Sequence, residues 1–256
     1  MKRWIPTDLS ATQAQDRRPG RRVAVCAAAA AAACLSLAAF TVPAAHAAAP
    51  PASGCAAVNL IVARASTEAP GEGTTQSLAT QIVNSSTQTV SQEAVVYPAT
   101  LTNYTSSESQ GVTNAEQELT TAVNNCPNQK EVLLGYSQGA EVSMDVIAGN
   151  SEVGGTVAPV STAISSHVVA IANFGDPGHV VGQSWDLGTA TLHGLFPRSS
   201  AQLGLLTAFG GSGKIAAWCD ANDPYCASGV NLEVHLTYLN RYQNAAASFV
   251  LSKIGG

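Results

Sequence analysis

The chain has 256 residues, 46% of them apolar and only 11% charged, a balance that excludes a disordered or collagen-like chain. Seventeen acidic against twelve basic residues give a net charge of −5, which leaves no basic surface for nucleic acid and excludes an ordinary DNA- or RNA-binding role. The total averages two unlike segments. Up to Ala47 there are six basic and two acidic residues, so the remaining 209 positions carry six basic and fifteen acidic, a net of −9.

Taken in chain order, Arg21-Arg22 comes before an apolar run from Val23 to Val42, and Ala45-His46-Ala47 follows it. A basic n-region, an apolar h-region and a small-x-small signal read as a secretory signal peptide over residues 1–47, cleaved after Ala47. The competing reading is a membrane anchor, because about 18 or more apolar residues can span a bilayer. Against it, most of the run is Ala, a weak driver of insertion, and Pro43 follows. A lipoprotein reading through Cys34 would want a bulky aliphatic residue where Ala31 stands. The pairs Arg17-Arg18 and Arg21-Arg22 leave a twin-arginine export route open. No later segment is long and apolar enough to span a membrane, so no stable anchor is expected and the product is expected outside the cell.

Export removes Cys26 and Cys34 and leaves Cys55, Cys126, Cys219 and Cys226. An even count in an oxidising compartment favours disulfides, with three connectivities possible. Cys219 and Cys226 are near neighbours and are expected to pair, which leaves Cys55 with Cys126. In the chain-entropy model the short loop stabilises by about 2.5 kcal/mol and the long one by about 4.4 kcal/mol. A zinc site is the rival, but C-x6-C has no nearby His pair, so no metal is expected.

Residues 48–54 are small and Pro-containing and are expected to be disordered. Beyond them, apolar runs at Val58–Arg64, Ala94–Pro98, Glu131–Tyr136, Val168–Phe174 and Lys214–Trp218 are the strand candidates. They are continuous runs more than alternations, as expected of parallel strands covered on both faces. Helical patterns lie at Thr74–Ser85, Asn114–Asn125 and Gln138–Ala148. A last one, Leu236–Ile254, puts Leu239, Tyr242, Ala246 and Phe249 on one face. The alternation predicts a single α/β domain over residues 55–256 with a mainly parallel sheet of about five strands. The Gly-, Ser- and Thr-rich stretch Gly178–Gly213 reads as a surface excursion.

The chemistry starts where Glu131-Val132-Leu133-Leu134 runs into Gly135-Tyr136-Ser137-Gln138-Gly139 and a helical pattern follows at once. This is G-x-S-x-G in a strand–turn–helix context, where an elbow strains the Ser backbone and flanking side chains would clash. Free N–H groups at the start of the helix favour an oxyanion there. The alternative is a Gly-rich turn with an idle serine. A nucleophilic Ser137 needs a base and an orienting carboxylate, in the chain order Ser, acid, His. His46 leaves with the leader, His167 begins a strand at the far edge of the sheet, and His179 and His193 sit in the excursion, where solvated roles are the default. His235 follows the last strand and can be brought back over the elbow. The acid candidates are Asp176, Asp186, Asp220 and Asp223. Asp176, just after a strand, is a serious rival on topology; Asp223 is preferred because Cys219 and Cys226 would clamp its loop. As a plain structural residue, Asp223 would be a turn former before Pro224.

Cys219-Asp220-Ala221-Asn222-Asp223-Pro224-Tyr225-Cys226, followed by His235-Leu236-Thr237-Tyr238, looks like the C-terminal signature of the cutinase and acetylxylan esterase family. Gly135–Ala140 resembles its nucleophile motif, Ala63–Glu68 its first-strand loop, and Asn173–Pro177 also looks familial. The resemblance covers about Cys55 to Ile254. It implies a three-layer α/β/α sandwich of α/β-hydrolase type, with Ser137 as nucleophile, His235 as base and Asp223 as carboxylate. It also implies an oxyanion hole of Ser66 and the backbone N–H of Gln138, and the same two disulfides. Ala65 departs from the pattern by standing where the family often has Gly, which puts the placement of the Ser66 donor in doubt more than the triad.

The implied reaction is two-step acyl transfer without metal or cofactor, falling in acid as His235 protonates. The substrate is an ester: an acyl ester, a cutin-like polyester or an acetylated polysaccharide. Val230, Leu232 and Val234 could form an apolar rim for acyl chains, or simply pack the final helix. Fungal acetylxylan esterases of the family usually carry more cysteines than four, which favours a cutinase-like enzyme; a monomer is expected, and no large amphipathic lid is visible. A catalytically silent secreted binding protein is the alternative from another class, and the retention of Ser137, Asp223 and His235 speaks against it.

Overall fold

The computed structural model describes residues 54–150 and 156–255; the leader and most of the 48–54 segment lie outside them. Six strands form the sheet: β1 (Val58–Ala63), β2 (Val90–Ala94), β3 (Lys130–Tyr136), β4 (Val168–Phe174), β5 (Asp186–Gly188) and β6 (Ile215–Cys219). Their order is β2-β1-β3-β4-β6-β5 and every pairing is parallel. Helices α1 (Gln76–Ser85), α2 (Tyr104–Asn125), α3 (Gln138–Ala148), α4 (Thr162–Ser165), α5 (Ser200–Phe209), α6 (Leu232–Leu236) and α7 (Tyr238–Ile254) make the connections and the outer layers.

The central strands read as continuous apolar runs because helices cover both of their faces. Leu60, Val62, Val132, Leu134, Ala172 and Phe174 share one core with residues of α1 and α7. Their neighbours Ile61, Ala63, Leu133 and Ile171 point the other way and pack with α2, α3 and α5. The result is the expected three-layer sandwich, with six strands instead of five.

The differences from the sequence reading have local causes. The second strand is Val90–Ala94, not Ala94–Pro98. As an edge strand it is half exposed and polar, Val-Ser-Gln-Glu-Ala. The apolar residues after it leave the sheet, and the Arg64 guanidinium takes the carbonyls of Val95 and Tyr97 at 3.4 and 2.6 Å. Helix α2 begins ten residues before the expected Asn114. Its first turns are polar, but Ser107 is buried against the Gln138 side chain at 3.1 Å. The final helical pattern is two helices, and His235 lies in the first of them.

The excursion 178–213 also contains structure. It holds β5, too short to read from sequence, and α5, which opens on a capping box between Ser199 and Gln202. Arg198 anchors it: its guanidinium meets Asp145 of α3 at 2.7 Å and Asp176 at 2.6 Å, and donates to the Glu141 carbonyl at 3.2 Å. Burial works against the Arg198 charge, but Asp145, Asp176 and Glu141 outweigh it and hold the guanidinium protonated. Disulfides join Cys55 to Cys126 and Cys219 to Cys226, with Cα–Cα distances of 5.8 and 5.9 Å. Among the described residues no helix is long and apolar enough to cross a membrane.

At the start of β3, Glu131 is fully buried; one carboxyl oxygen accepts from Asn59 at 3.2 Å and the other has no partner among the described residues. Burial pushes its carboxyl up to about 7, against the pull of Asn59 and with a further push from Glu93. The folded protein therefore holds a proton that the unfolded chain gives up from its ordinary value of 4.5. Stability from this group is greatest in acid and is lost as pH rises from 4.5 through about 7. Glu131→Gln should remove that loss. Urea unfolding is expected to find the variant more stable than the parent at pH 8, with the difference closing at pH 4.

Candidate active site

The C-terminal ends of parallel strands collect loops at one edge of a sheet, the usual place for a ligand crevice in this class. At the end of β3, Ser137 has φ 55° and ψ −123°, a conformation that costs a non-Gly residue about 1–3 kcal/mol. Two glycines permit it. A Cβ on Gly135 would lie 2.3 Å from the Gly139 carbonyl oxygen, and one on Gly139 would lie 2.1 Å from the Ala63 oxygen. The Ser137 N–H bonds the Phe174 carbonyl at 2.8 Å, which ties the turn to β4.

His235 sits on the one-turn helix α6 and is buried. Its Nδ1 is 2.8 Å from Asp223 Oδ2. With a carboxylate as partner, Nδ1 carries the proton and Nε2 is left as the basic nitrogen. Asp223 is fully buried, and its other oxygen accepts the backbone N–H groups of Tyr225 at 2.7 Å and Cys226 at 3.0 Å. Burial pulls this carboxyl upward, but the hydrogen bond and charge of His235 and the two N–H groups outweigh it and hold it below the ordinary carboxylate value. The Tyr136 hydroxyl donates to the His235 carbonyl, and the Tyr225 ring lies 4.5 Å from the imidazole, centroid to centroid. Gly175, at φ 62°, clears room for the ring: a Cβ there would come within 2.7 Å of His235 Cε1. Arg241 of α7 donates to the Val234 carbonyl at 2.9 Å and to Asp220 at 3.0 Å, tying α6 to the Cys219–Cys226 loop.

The other acid candidates are occupied elsewhere. Asp176 bonds Arg198 and accepts the Gly178 N–H at 2.8 Å. Asp186 accepts the Gln183 N–H at 2.8 Å and faces His179 at 3.6 Å. Asp220 is shared by Thr189, Tyr242 and Arg241. The expectation that His179 is solvated is corrected: it is buried beside Asp186, because β5 folds the excursion back onto the sheet. Burial holds the His179 imidazole below its ordinary value against the pull of Asp186. His193 is exposed and accepts the Val181 N–H at 3.1 Å. His167 immediately precedes β4, at the N-terminal edge of the sheet.

Ser66, Ser137 and His235 line one cavity of about 430 Å³. The Ser66 hydroxyl is buried there without a partner among the described residues. Gln138 opens α3, so its N–H has no intrahelical acceptor, and its side chain is turned away toward Ser107. Leu101, Leu195, Leu232 and Leu236 also line the cavity and are 55%, 48%, 48% and 58% exposed. Of the three rim residues expected from sequence, only Leu232 is among the lining residues. Residues 232, 235 and 236 share one face of α6, and Val234 points away from it. Val230, 92% exposed, precedes the helix. Leu101 and Leu195 come from loops remote in sequence, so no local pattern announces them.

The cutinase family model matches residues 54–254. The chain is 31% identical over 212 residues to acetylxylan esterase 2 of Talaromyces purpureogenus, covering 78% of this chain and 88% of that one. It is 32% identical over 212 residues to cutinase 11 of Verticillium dahliae, covering 78% and 70%. Its fold matches the catalytic core of the Trichoderma reesei acetylxylan esterase with a TM-score of 0.69, at 30% identity, over 78% of this chain and 99% of that one. With a serine at a strained elbow and a carboxylate-bound histidine opening on the same cavity, the chain belongs to the cutinase family.

Proposed function

We propose that Ser137, His235 and Asp223 are the nucleophile, general base and orienting acid of this protein, and that Ser66 Oγ–H and the Gln138 N–H are its oxyanion donors. As a member of the cutinase family the chain is a serine esterase that hydrolyses carboxylic esters. The observation that carries the residue assignment is the 2.8 Å contact between His235 Nδ1 and the buried Asp223, with Ser137 held at φ 55° on the same cavity.

In this reading His235 Nε2 takes the Ser137 proton as Oγ attacks the ester carbonyl, and the carbonyl electrons move onto oxygen. Ser66 and Gln138 stabilise that oxygen. The intermediate collapses to an acyl-serine as the imidazolium protonates the leaving alcohol, and water repeats the sequence to release the acid. Asp223 keeps the tautomer correct and stabilises the imidazolium.

The exposed leucines around the cavity favour acyl chains longer than acetyl, a cutinase-like preference. Removal of acetyl groups from a plant polysaccharide is the second reading, favoured by the likeness to acetylxylan esterases. Secretion after removal of residues 1–47 is supported by the basic and apolar leader pattern and by two disulfides, which persist in oxidising compartments.

A fluorophosphonate probe should label the folded protein and fail to label Ser137→Ala; a folded but unlabelled parent would defeat the nucleophile assignment. Asp223→Ala should lower kcat by about 10⁴-fold, as loss of the orienting acid does elsewhere. Asp176→Ala should instead lower stability by removing one of the two carboxylates on the buried Arg198, which keeps Asp145, with the smaller catalytic loss in steady-state assays. Each buried methylene contributes about 0.8 kcal/mol, so p-nitrophenyl butyrate should exceed the acetate in kcat/KM by roughly tenfold. Acetyl release from acetylated xylan, with no gain along the acetate, butyrate and palmitate series, would favour the second reading instead.

A further inference from the structure

Resting on the reading of Ser66 as an oxyanion donor, the structure poses a question about how that hydroxyl is placed. No side chain holds it, since Ser66 Oγ has no partner among the described residues. Its position must come from the backbone of the loop that leaves β1. On one side of Ser66, the Ala65 N–H is taken by Glu68 Oε2 at 2.7 Å. Glu68 Oε1 meanwhile accepts the Thr74 N–H at 2.7 Å and the Thr74 hydroxyl. On the other side, the Thr67 N–H reaches the Ala99 carbonyl at 2.7 Å with Thr67 at φ 70°. The Glu68 carbonyl in turn accepts from Arg64 Nε at 3.1 Å. Gly73 leaves space for the carboxylate, because a Cβ there would sit 2.0 Å from Glu68 Oε2.

This carboxylate lines the same cavity as Ser137. A negative charge there opposes the negative charge that develops on the ester oxygen, and low dielectric strengthens the opposition. What the carboxylate offers in return is two oxygens that both accept. An amide has one acceptor oxygen and one donor nitrogen, so it cannot accept the Ala65 N–H and the Thr74 N–H on two separate oxygens as the carboxylate does. We propose that Glu68 is a positioning residue, which fixes Ser66 Oγ–H at the oxyanion by bridging the start of the loop to the Gly73–Thr74 turn.

The test is a double-mutant cycle of Glu68→Gln with Ser66→Ala, read as kcat and KM for p-nitrophenyl butyrate. Loss of an oxyanion donor costs about 10²–10³ in kcat, so Ser66→Ala should fall in that range. Misplacing the donor should cost part of it, about 10- to 100-fold for Glu68→Gln, with KM within about threefold. In the Ser66→Ala background the same Glu68→Gln change should cost less than about threefold, since Glu68 acts through Ser66. A Glu68→Gln enzyme as fast as the parent or faster would mean that charge outweighs positioning, and would overturn the proposal. Full additivity in the cycle, with Ser66→Ala impaired, would overturn it while leaving the oxyanion reading intact. A Ser66→Ala enzyme with parental kcat would overturn both. Should Glu68→Gln fail to fold, Thr74→Val, which removes one donor to the same carboxylate, completes the cycle with a smaller expected loss of about two- to fivefold, again absent without Ser66.

Discussion

Helix α3 begins against the end of β1 with no room for a side chain between them: a Cβ on Gly139 would lie 2.1 Å from the Ala63 oxygen and 2.5 Å from that of Arg64. Everything at the cavity depends on this contact. It sets the start of α3 beside the loop that carries Ser66, so Ser66 and Ser137, on different elements, line one space. It also fixes the turn before it, because Gly135 is pressed equally hard against Gly139 and Ala140. Ser137 is left with a backbone conformation it would not choose. The turn persists because the strand behind it is buried on both faces and the helix ahead of it is buried along its whole length. The local strain of about 1–3 kcal/mol is small against that packing.

The second half of the site is built on the other side of the sheet's end by different means. Asp223 is a carboxylate with no access to water, and such a group is costly unless each oxygen is satisfied. One oxygen meets His235 and the other meets two backbone N–H groups, so none of its capacity is wasted. The Cys219–Cys226 bridge closes a short loop around it, and Arg241 with Asp220 joins that loop to the helix bearing His235. The elbow is positioned by close backbone packing, whereas Asp223 and His235 are positioned by polar contacts and a covalent link.

That division explains how much could be read in advance. β1, β3 and β4 were legible because burial on both faces writes continuous apolar runs into the sequence. β2 was not, since an edge strand is half polar and its apolar neighbours pack outside the sheet. The elbow was legible from two glycines whose absence of a side chain is a steric requirement. Asp176 and Asp223 could not be separated by topology, and what separates their surroundings is Arg198, whose reach to Asp176 and Asp145 no local pattern encodes. Leu101, Leu195 and Leu236 were missed for a similar reason. They are brought together by loops 101 and 195, and α6 turns Val234 away while presenting Leu232 and Leu236.

The carboxyls of Glu116, Glu118 and Glu131 are all pushed up to about 7, chiefly by burial. Counting acidic residues as fully ionised therefore overstates the charge of the folded chain at neutrality. Glu131 stands at the start of β3, at the opposite end of that strand from Ser137, so this end of the fold carries less negative charge at neutrality than the count of acidic residues implies.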